Sequence, residues 1–384
     1  MLAVKTTAEE AFRLEVRAWL AANVPAPIHD TGPLARREYA LAWQRRQYEG
    51  GWAGISWPQR YGGRGLSDDQ QIIWYAEYAH AGAPSTLDVN FVAQHHAGPT
   101  LIALGSEAQR AFHLPRILRG ESLWCQGFSE PGAGSDLASI QTRGTIVGDR
   151  VIVSGQKLWS SYADIADYQE LLVRTDASAE RHKGLTWLIC DMRTPGITVN
   201  PIRNIAGSAN FAAVFYDDVV IPLDQVVGAV NDGWKVAMAT LGFERGTASI
   251  ALQIELQNAI ERLMDDAARS PKARSDSALI ERLTLLWAQA AALRSLTYSI
   301  VSRSSTGSSA NFDASMVRLR YAELVQDVHR LGFEISGADG LTHPGARGWT
   351  HSYLYSLHDT IAGGTSEIQR NVISERILGL PRGT

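Results

Sequence analysis

Trp124-Cys-Gln-Gly-Phe-Ser-Glu-Pro-Gly-Ala-Gly-Ser-Asp136 is the stretch around which the rest of the chain is read. Trp124, Gln126 and Phe128 alternate with smaller residues, a period of two that predicts a strand entry. Pro131, Gly132 and Gly134 follow and require a tight, exposed turn. Few side chains stand between that backbone and whatever lies against it. Gln126, Ser129, Ser135 and the turn N–H groups offer hydrogen bonds to a flat polar ring or a pantetheine-like chain. Taken alone, the same residues also make a strand-to-strand corner that binds nothing.

At 384 residues and 45% apolar, the chain can bury a large core in two or three subregions. Its net charge of −4, with acids and bases mixed along the chain, argues against a nucleic-acid binder, which carries a basic excess or stripe. Two cysteines, Cys125 and Cys190, sit in apolar strand-like contexts, which suits a reducing compartment rather than a disulfide framework. No apolar run reaches membrane-spanning length. The N-terminus lacks a charged-then-apolar pattern, and Glu9, Glu10 and Glu15 disfavour a transit peptide. The expectation is a soluble cytoplasmic protein with no membrane partner.

Helical periodicity dominates from Thr7 to Gly120: Phe12, Val16, Trp19 and Leu20 share one face, and Pro25 and Pro27 stop that element. Gln70–Ala79 and Val89–Leu104 are further helices, with a loop at Tyr61-Gly-Gly-Arg-Gly65 between the early elements. Gln94-His95-His96 invites a metal reading, but adjacent residues do not share a helix face, so partly buried polar residues near a cavity are expected instead. From Glu121 to Gly228 the signal turns to strands: Val151–Val153, Leu171–Arg174, Leu185–Cys190 and Ala212–Tyr216. Helix returns at Trp234–Ala267, Ser277–Ser302 and Asp313–Ile335, with connections at Pro271 and Ser302–Ser309.

Two more stretches matter, Ser154-Gly-Gln-Lys-Leu-Trp-Ser-Ser161 and Ile361-Ala-Gly-Gly-Thr-Ser-Glu-Ile-Gln-Arg370. With the opening one, and in this order, they resemble the acyl-CoA dehydrogenase family of flavoenzymes. The resemblance spans nearly the whole chain and includes Gly51-Trp-Ala-Gly-Ile-Ser-Trp-Pro58, Gly62-Gly-Arg-Gly65 and Ile373-Ser-Glu-Arg-Ile-Leu-Gly-Leu-Pro381. It implies an α+β, mainly α fold: an N-terminal helical domain (1–120), a middle antiparallel β-barrel-like domain (121–228) and a C-terminal four-helix bundle (229–384), usually tetrameric through the bundle. It also implies FAD-dependent dehydrogenation of an acyl-CoA thioester to the 2-enoyl-CoA. A base takes the α proton, the β hydrogen leaves as hydride to flavin N5, and an acceptor such as an electron-transfer flavoprotein reoxidises the flavin.

Many family members carry the catalytic glutamate directly before the Gly-Thr of the C-terminal motif. Here that position is Gly363, which cannot be a base. Isovaleryl- and long-chain-type members carry it on a helix, just before an arginine, and Leu241-Gly-Phe-Glu-Arg245 makes Glu244 the matching candidate. The competing reading is an ordinary solvated Glu-Arg pair; the apolar neighbours Met238, Leu241, Phe243 and Ile250 favour the base. By resemblance, the Gly363 N–H binds the thioester carbonyl beside Gly364, although a Gly-Gly turn needed only for backbone geometry is compatible with both. Resemblance assigns Gln126, Phe128 and Ser129 to the flavin ring and Ser135 to the pantetheine. It sets Trp159 against the isoalloxazine, or else in the core, and points Ser161 at N5. Thr365 and Glu367 contact FAD at a helix start whose capping box is read as Ser366 with Gln369. Arg245 is either a CoA-side residue or an ion-pair partner.

Two departures stand out. The Arg-x-x-Phe-Gly motif that holds a neighbouring subunit's FAD is missing from Ala268–Asp276, where Arg269 or Arg274 is a substitute. The second cross-subunit motif, usually begun by Gln, reads Glu334-Ile-Ser-Gly-Ala-Asp-Gly340, leaving Glu334 and Gly337 as the FAD-side positions. The adenine end is therefore held differently or weakly, or by a non-identical subunit, as in bacterial members that act on steroid side chains. The alternatives to a homo-oligomeric dehydrogenase are a subunit of a heteromeric one, a flavin oxidase or monooxygenase, and a non-catalytic assembly subunit. The small residues Ala362 and Gly363 suit a branched or bulky acyl group.

Overall fold

The computed structural model describes residues 7–28, 32–243, 249–305, 313–342 and 348–381. They fall into two compact units: Met1–Gln71, Ala83–Asn204 and Ser208–Gly246 form one, and Ile72–Gly82, Ile205–Gly207 and Thr247–Thr384 the other.

In the first unit the predicted helices form: α1 (Thr7–Asn23), α2 (Pro33–Glu49), α3 (Asp68–His80, which passes to the second unit at Ile72), α4 (Gly98–Leu104) and α5 (Glu107–Leu118). Val16 and Leu20 are the buried face of α1, which ends at Asn23, before the prolines that cannot continue it. A π-helical turn, Val92–Ala97, leads into α4 and widens the backbone at the Gln94-His95-His96 run. A capping box between Ser106 and Gln109 starts α5.

Eight strands follow: β1 (Trp124–Gly127), β2 (Arg143–Val147), β3 (Arg150–Ser161), β4 (Tyr168–Arg174), β5 (Leu185–Asp191), β6 (Ile197–Ile202), β7 (Phe211–Pro222) and β8 (Val226–Val227). The sheet runs β6-β7-β3-β2-β4-β5-β8, with β1 on β4. It is mainly antiparallel, but β1 pairs with β4 in parallel, Trp124 opposite Tyr168, and β2 meets β4 in parallel at Arg143 and Arg174. Every interior residue of β4 and β5 is buried, including the polar Gln169, Glu170 and Thr186, whereas burial alternates along much of β3 and β7. The helices and the sheet share one core: Trp57, Leu101, Leu114 and Leu118 pack with Trp124, Leu172, Trp187 and Ile189, and with Val236 and Ala237 of α6 (Gly233–Phe243). Cys125, Gln169 and Cys190 lie in register across β1, β4 and β5, wholly buried. Both cysteines are free thiols, and burial raises the pKa of each.

The second unit is helical: α7 (Ser249–Arg269), α8 (Pro271–Ser275), α9 (Ser277–Ser305), α10 (Ala314–Thr342), α11 (Trp349–Ser356) and α12 (Ser366–Val372). Leu256, Ile260 and Leu263 on α7, Leu279, Leu283, Leu286 and Leu293 on α9, and Leu324, Val328 and Leu331 on α10 close its core at helical spacing. Trp349 Nε1 donates to Asp266 Oδ2 at 2.8 Å and ties α11 to α7. Two readings need correcting. Pro271 does not merely connect: with Ser270 as N-cap it opens α8. The third long helix runs past Ile335 but breaks at Gly337, whose φ of 56° and ψ of −135° only glycine adopts readily. The expected Trp234–Ala267 helix spans α6, α7 and residues 244–248, which lie outside the described residues.

Candidate functional site

The two middle-domain motifs meet in the first unit. Pro131 and Gly132 turn inside a two-bond bridge, Glu130 N–H to Ala133 C=O and Ala133 N–H to Glu130 C=O, each 3.0 Å. Leu158 N–H donates to Ser129 C=O at 2.9 Å, which lays the turn along β3. The wholly buried Lys157 ammonium fastens both, donating to Phe128 C=O at 3.0 Å and Glu130 Oε1 at 2.8 Å. Glu130 also accepts the N–H groups of Gln141 and Thr142 at 2.7 and 2.9 Å. Burial alone would raise its pKa, but Lys157 and these donors outweigh that and hold it below the usual carboxylate range. Neither Lys157 nor Glu130 is a predicted site residue. Part of the signal was available: Lys157 is the one charge in Ser154–Ser161, and Glu130 is one of two acids in Trp124–Asp136.

Trp159 sits where the β3–β7 register slips, between Lys157 and Ser160, with a φ of 64°. Such a backbone costs a bulky residue about 1–3 kcal/mol. Its indole is nevertheless 56% exposed, with a single edge-on aromatic contact to Phe211 among the described residues. The core reading of Trp159 does not hold. Phe128 is buried, and Ser129 and Ser161 are half-buried. Ser135 is exposed at the turn. A Cβ built at Gly132 or Gly134 meets nothing within 4 Å, and neither glycine has a positive φ. This chain's own packing does not require glycine at either position. The Gln126 amide is committed to its own chain: Nε2 donates to Glu170 Oε1 at 2.7 Å and lies 3.2 Å from His96 Nδ1, itself 3.0 Å from Glu170. The Gln126 amide oxygen meets no donor among the described residues, while its backbone lies in the β1–β4 ladder opposite Glu170. Of the histidines expected to be partly buried, His95 is half-buried, whereas His96 is buried against Glu170. Among the described residues no cluster of His, Cys, Asp or Glu could hold a metal ion.

The C-terminal motif lies in the second unit. Thr365, not Ser366, is the N-cap of α12: its hydroxyl accepts Ile368 N–H at 3.2 Å. Gln369 is therefore not a box partner. Its Nε2 reaches back to Gly363 C=O at 3.1 Å. Glu367 is exposed in the first turn, and its own N–H and the Thr365 hydroxyl hold its pKa low. Gly363 and Gly364 both take positive φ, 62° and 91°, and Gly363 is exposed. Arg318 on α10 donates to Asp359 C=O and Ala362 C=O, each at 2.6 Å. Glu334 pairs with Arg282 at 2.6 and 3.1 Å beside a cavity of about 400 Å³ that Asp276, Ala278 and Leu279 also line. Gly337 lies one turn on, at the break in α10. Glu244 and Arg245 lie outside the described residues.

Comparison with known proteins agrees along the whole chain. Residues 6–121 match the model of the acyl-CoA dehydrogenase N-terminal domain, 125–219 that of the middle domain and 231–378 that of the C-terminal domain. Acyl-CoA dehydrogenase IpdE1 of Mycobacterium tuberculosis is 40% identical over 97% of this chain and 98% of its own. The ChsE4-ChsE5 complex of Mycobacterium tuberculosis superposes with a TM-score of 0.84 at 30% identity, over 100% of both chains. A structure described as the Tcur3481-Tcur3483 steroid ACAD does so with a TM-score of 0.85, also at 30% and over 100% of both. No helix among the described residues is long and apolar enough to cross a membrane. The chain belongs to the acyl-CoA dehydrogenase family of FAD-dependent oxidoreductases.

Proposed function

We propose that this chain dehydrogenates a bulky acyl-CoA thioester between its α and β carbons, giving the 2-enoyl-CoA. The observation that carries the reading is Trp159, a large indole held out to solvent by a left-handed backbone on the same framework as Ser129 and the glycine turn. Strain that exposes an aromatic stabilises nothing within this chain; a flat ring stacked on it supplies the reason. FAD, when bound, supplies the hydride acceptor. Trp159, Ser161, Ser129, Phe128 and the Gln126 backbone hold the ring, Thr365 and Glu367 contact the cofactor, and Ser135 takes the pantetheine. Glu244 removes the α proton, and the Gly363 N–H, beside Gly364, binds the thioester oxygen. Arg245 lies on the CoA side.

Three features support a steroid-derived substrate and a non-identical partner subunit. Ala362 and Gly363 leave room at the reacting carbons. Two relatives at 30% identity are described as a steroid ACAD and as a two-protein complex. At the Glu334–Gly337 motif, Asp276 and Glu334 outnumber Arg282, a poor environment for a neighbouring subunit's pyrophosphate. Two buried free thiols suit the cytoplasm, and an electron-transfer flavoprotein suits reoxidation.

The test is anaerobic mixing with a panel of CoA thioesters, steroid-derived ones included. Flavin bleaching with formation of the 2-enoyl-CoA supports the reading; fast turnover with oxygen in place of an artificial acceptor favours an oxidase instead. Glu244→Gln should keep its flavin and lose about 10²–10⁴-fold in turnover. Near-normal activity in that variant rejects the base.

A further inference from the structure

Arg318 bears on the one donor that the proposed reaction needs from the C-terminal turn. Its Nη2 donates to Asp359 C=O and Ala362 C=O, 2.6 Å each, across 41 and 44 residues of sequence. The Ala362–Gly363 peptide unit is planar and trans, so its C=O and N–H point in opposite directions. Fixing the Ala362 oxygen therefore aims the Gly363 N–H, which meets no acceptor among the described residues at an exposed position. The clamp is needed because of where it acts. Gly363 and Gly364 are consecutive left-handed glycines without side chains, so packing cannot hold their peptide planes. Gln369 Nε2 takes the next carbonyl, Gly363 C=O, at 3.1 Å, and Gln326 Nε2 takes Ser356 C=O and Thr360 Oγ1 at 3.1 and 2.9 Å. The carbonyls of Ser356, Asp359, Ala362 and Gly363 are thus each tied to a long side chain from α10 or α12.

We infer that Arg318 is a positioning residue for the dehydrogenation: by holding the Ala362 carbonyl it presents the Gly363 N–H to the thioester oxygen, where enolate charge builds as the α proton leaves. The inference rests on the proposed function. A misaimed oxyanion donor forfeits much of a stabilisation worth about 10²–10³ in rate. Substrate affinity comes mainly from the CoA moiety, so the loss falls on kcat and not on KM.

The experiment uses the flavin-loaded enzyme, with any subunit that copurifies, and a 3-thiaacyl-CoA, which carries an acidic α hydrogen but is not dehydrogenated. Three quantities are read: the thioester C=O stretch of the bound probe by isotope-edited infrared difference spectroscopy, its α-hydrogen exchange in D2O by mass spectrometry, and KM for a substrate that turns over. Wild type should lower the stretch and exchange the hydrogen. Arg318→Met should lose most of the lowering and slow exchange about 10- to 100-fold, with KM for a turned-over substrate within about threefold. Arg318→Lys, the milder variant if Arg318→Met does not fold, should lose part of the lowering, because an ammonium does not reproduce the guanidinium fork. A wild-type stretch and exchange rate in either folded variant overturns the inference alone. So does a large rise in KM with an unchanged stretch, which would make Arg318 a CoA ligand. If wild type itself neither shifts the stretch nor exchanges the hydrogen, the proposed function fails and the inference falls with it.

Discussion

At the scale of single residues, backbone strain and the proposed flavin contact fall on the same residue, Trp159. A tryptophan at φ 64° is disfavoured by about 1–3 kcal/mol, while glycine adopts that conformation without steric cost but loses more backbone entropy on folding. Trp159→Gly should therefore leave the flavin-free protein no less stable, and up to about 1 kcal/mol more stable, in urea unfolding, while flavin affinity falls. A parallel loss of stability and flavin would make the indole an ordinary packing residue. Lys157 illustrates the opposite case. It is buried and mute in isolation, yet it joins Phe128, Glu130 and Trp159's strand into one framework. Both residues stand in motifs visible in the chain, but only Trp159 could be given a role from the motif. Which charge Lys157 meets, 27 residues back, is not a local property.

Among the elements, the packing of α5 against β1 and β4 carries a measurable pH dependence. The buried imidazole of His113 sits edge-on to Trp124 and Tyr168, at 5.1 and 4.8 Å, and its Nδ1 has no partner among the described residues. Burial first, and then Arg116, push its pKa down from 6.5 to about 4. Between those values the unfolded chain binds the extra proton, so stability rises with pH through that window and is lost as pH falls through it. The shift is worth up to about 3 kcal/mol. Urea midpoints of the first unit's transition should fall from pH 6.5 towards 4, and His113→Phe should flatten that slope; an unchanged slope would remove His113 from the acid response. Elements were also where the chain was most legible. The Gln70–Ala79, Leu171–Arg174 and Leu185–Cys190 readings lie within α3, β4 and β5, because period and branched residues are written locally. The α12 cap lies one residue before the Ser366–Gln369 spacing: that spacing selects Ser366, but the Thr365 hydroxyl accepts Ile368 N–H, and Gln369 Nε2 turns to Gly363 C=O instead.

For the whole molecule, the cavity lined by Asp276, Arg282 and Glu334 is the feature that bears on the proposed assembly. With two carboxylates around one guanidinium, it suits a neighbour's FAD poorly, so full flavin loading should need a related, non-identical subunit that supplies the adenine end. Purified alone, the chain should carry well under one flavin per protomer. Co-expression with such a subunit should raise the ratio, with both chains in one native-mass species; a fully loaded homo-oligomer would reject the heteromeric reading. The sequence by itself determined the family, the order of helix, sheet and helix, and the short list of motif residues, because periodicity, turn chemistry and motif spacing are properties of neighbours along the chain. Only the tertiary structure decided that Lys157 locks Glu130 to Phe128, that Trp159 is strained and exposed, and that Arg318 grips the Ala362 carbonyl. Those facts depend on which distant groups meet once apolar surface is buried, and no local pattern of residues encodes a hydrogen bond across 44 of them.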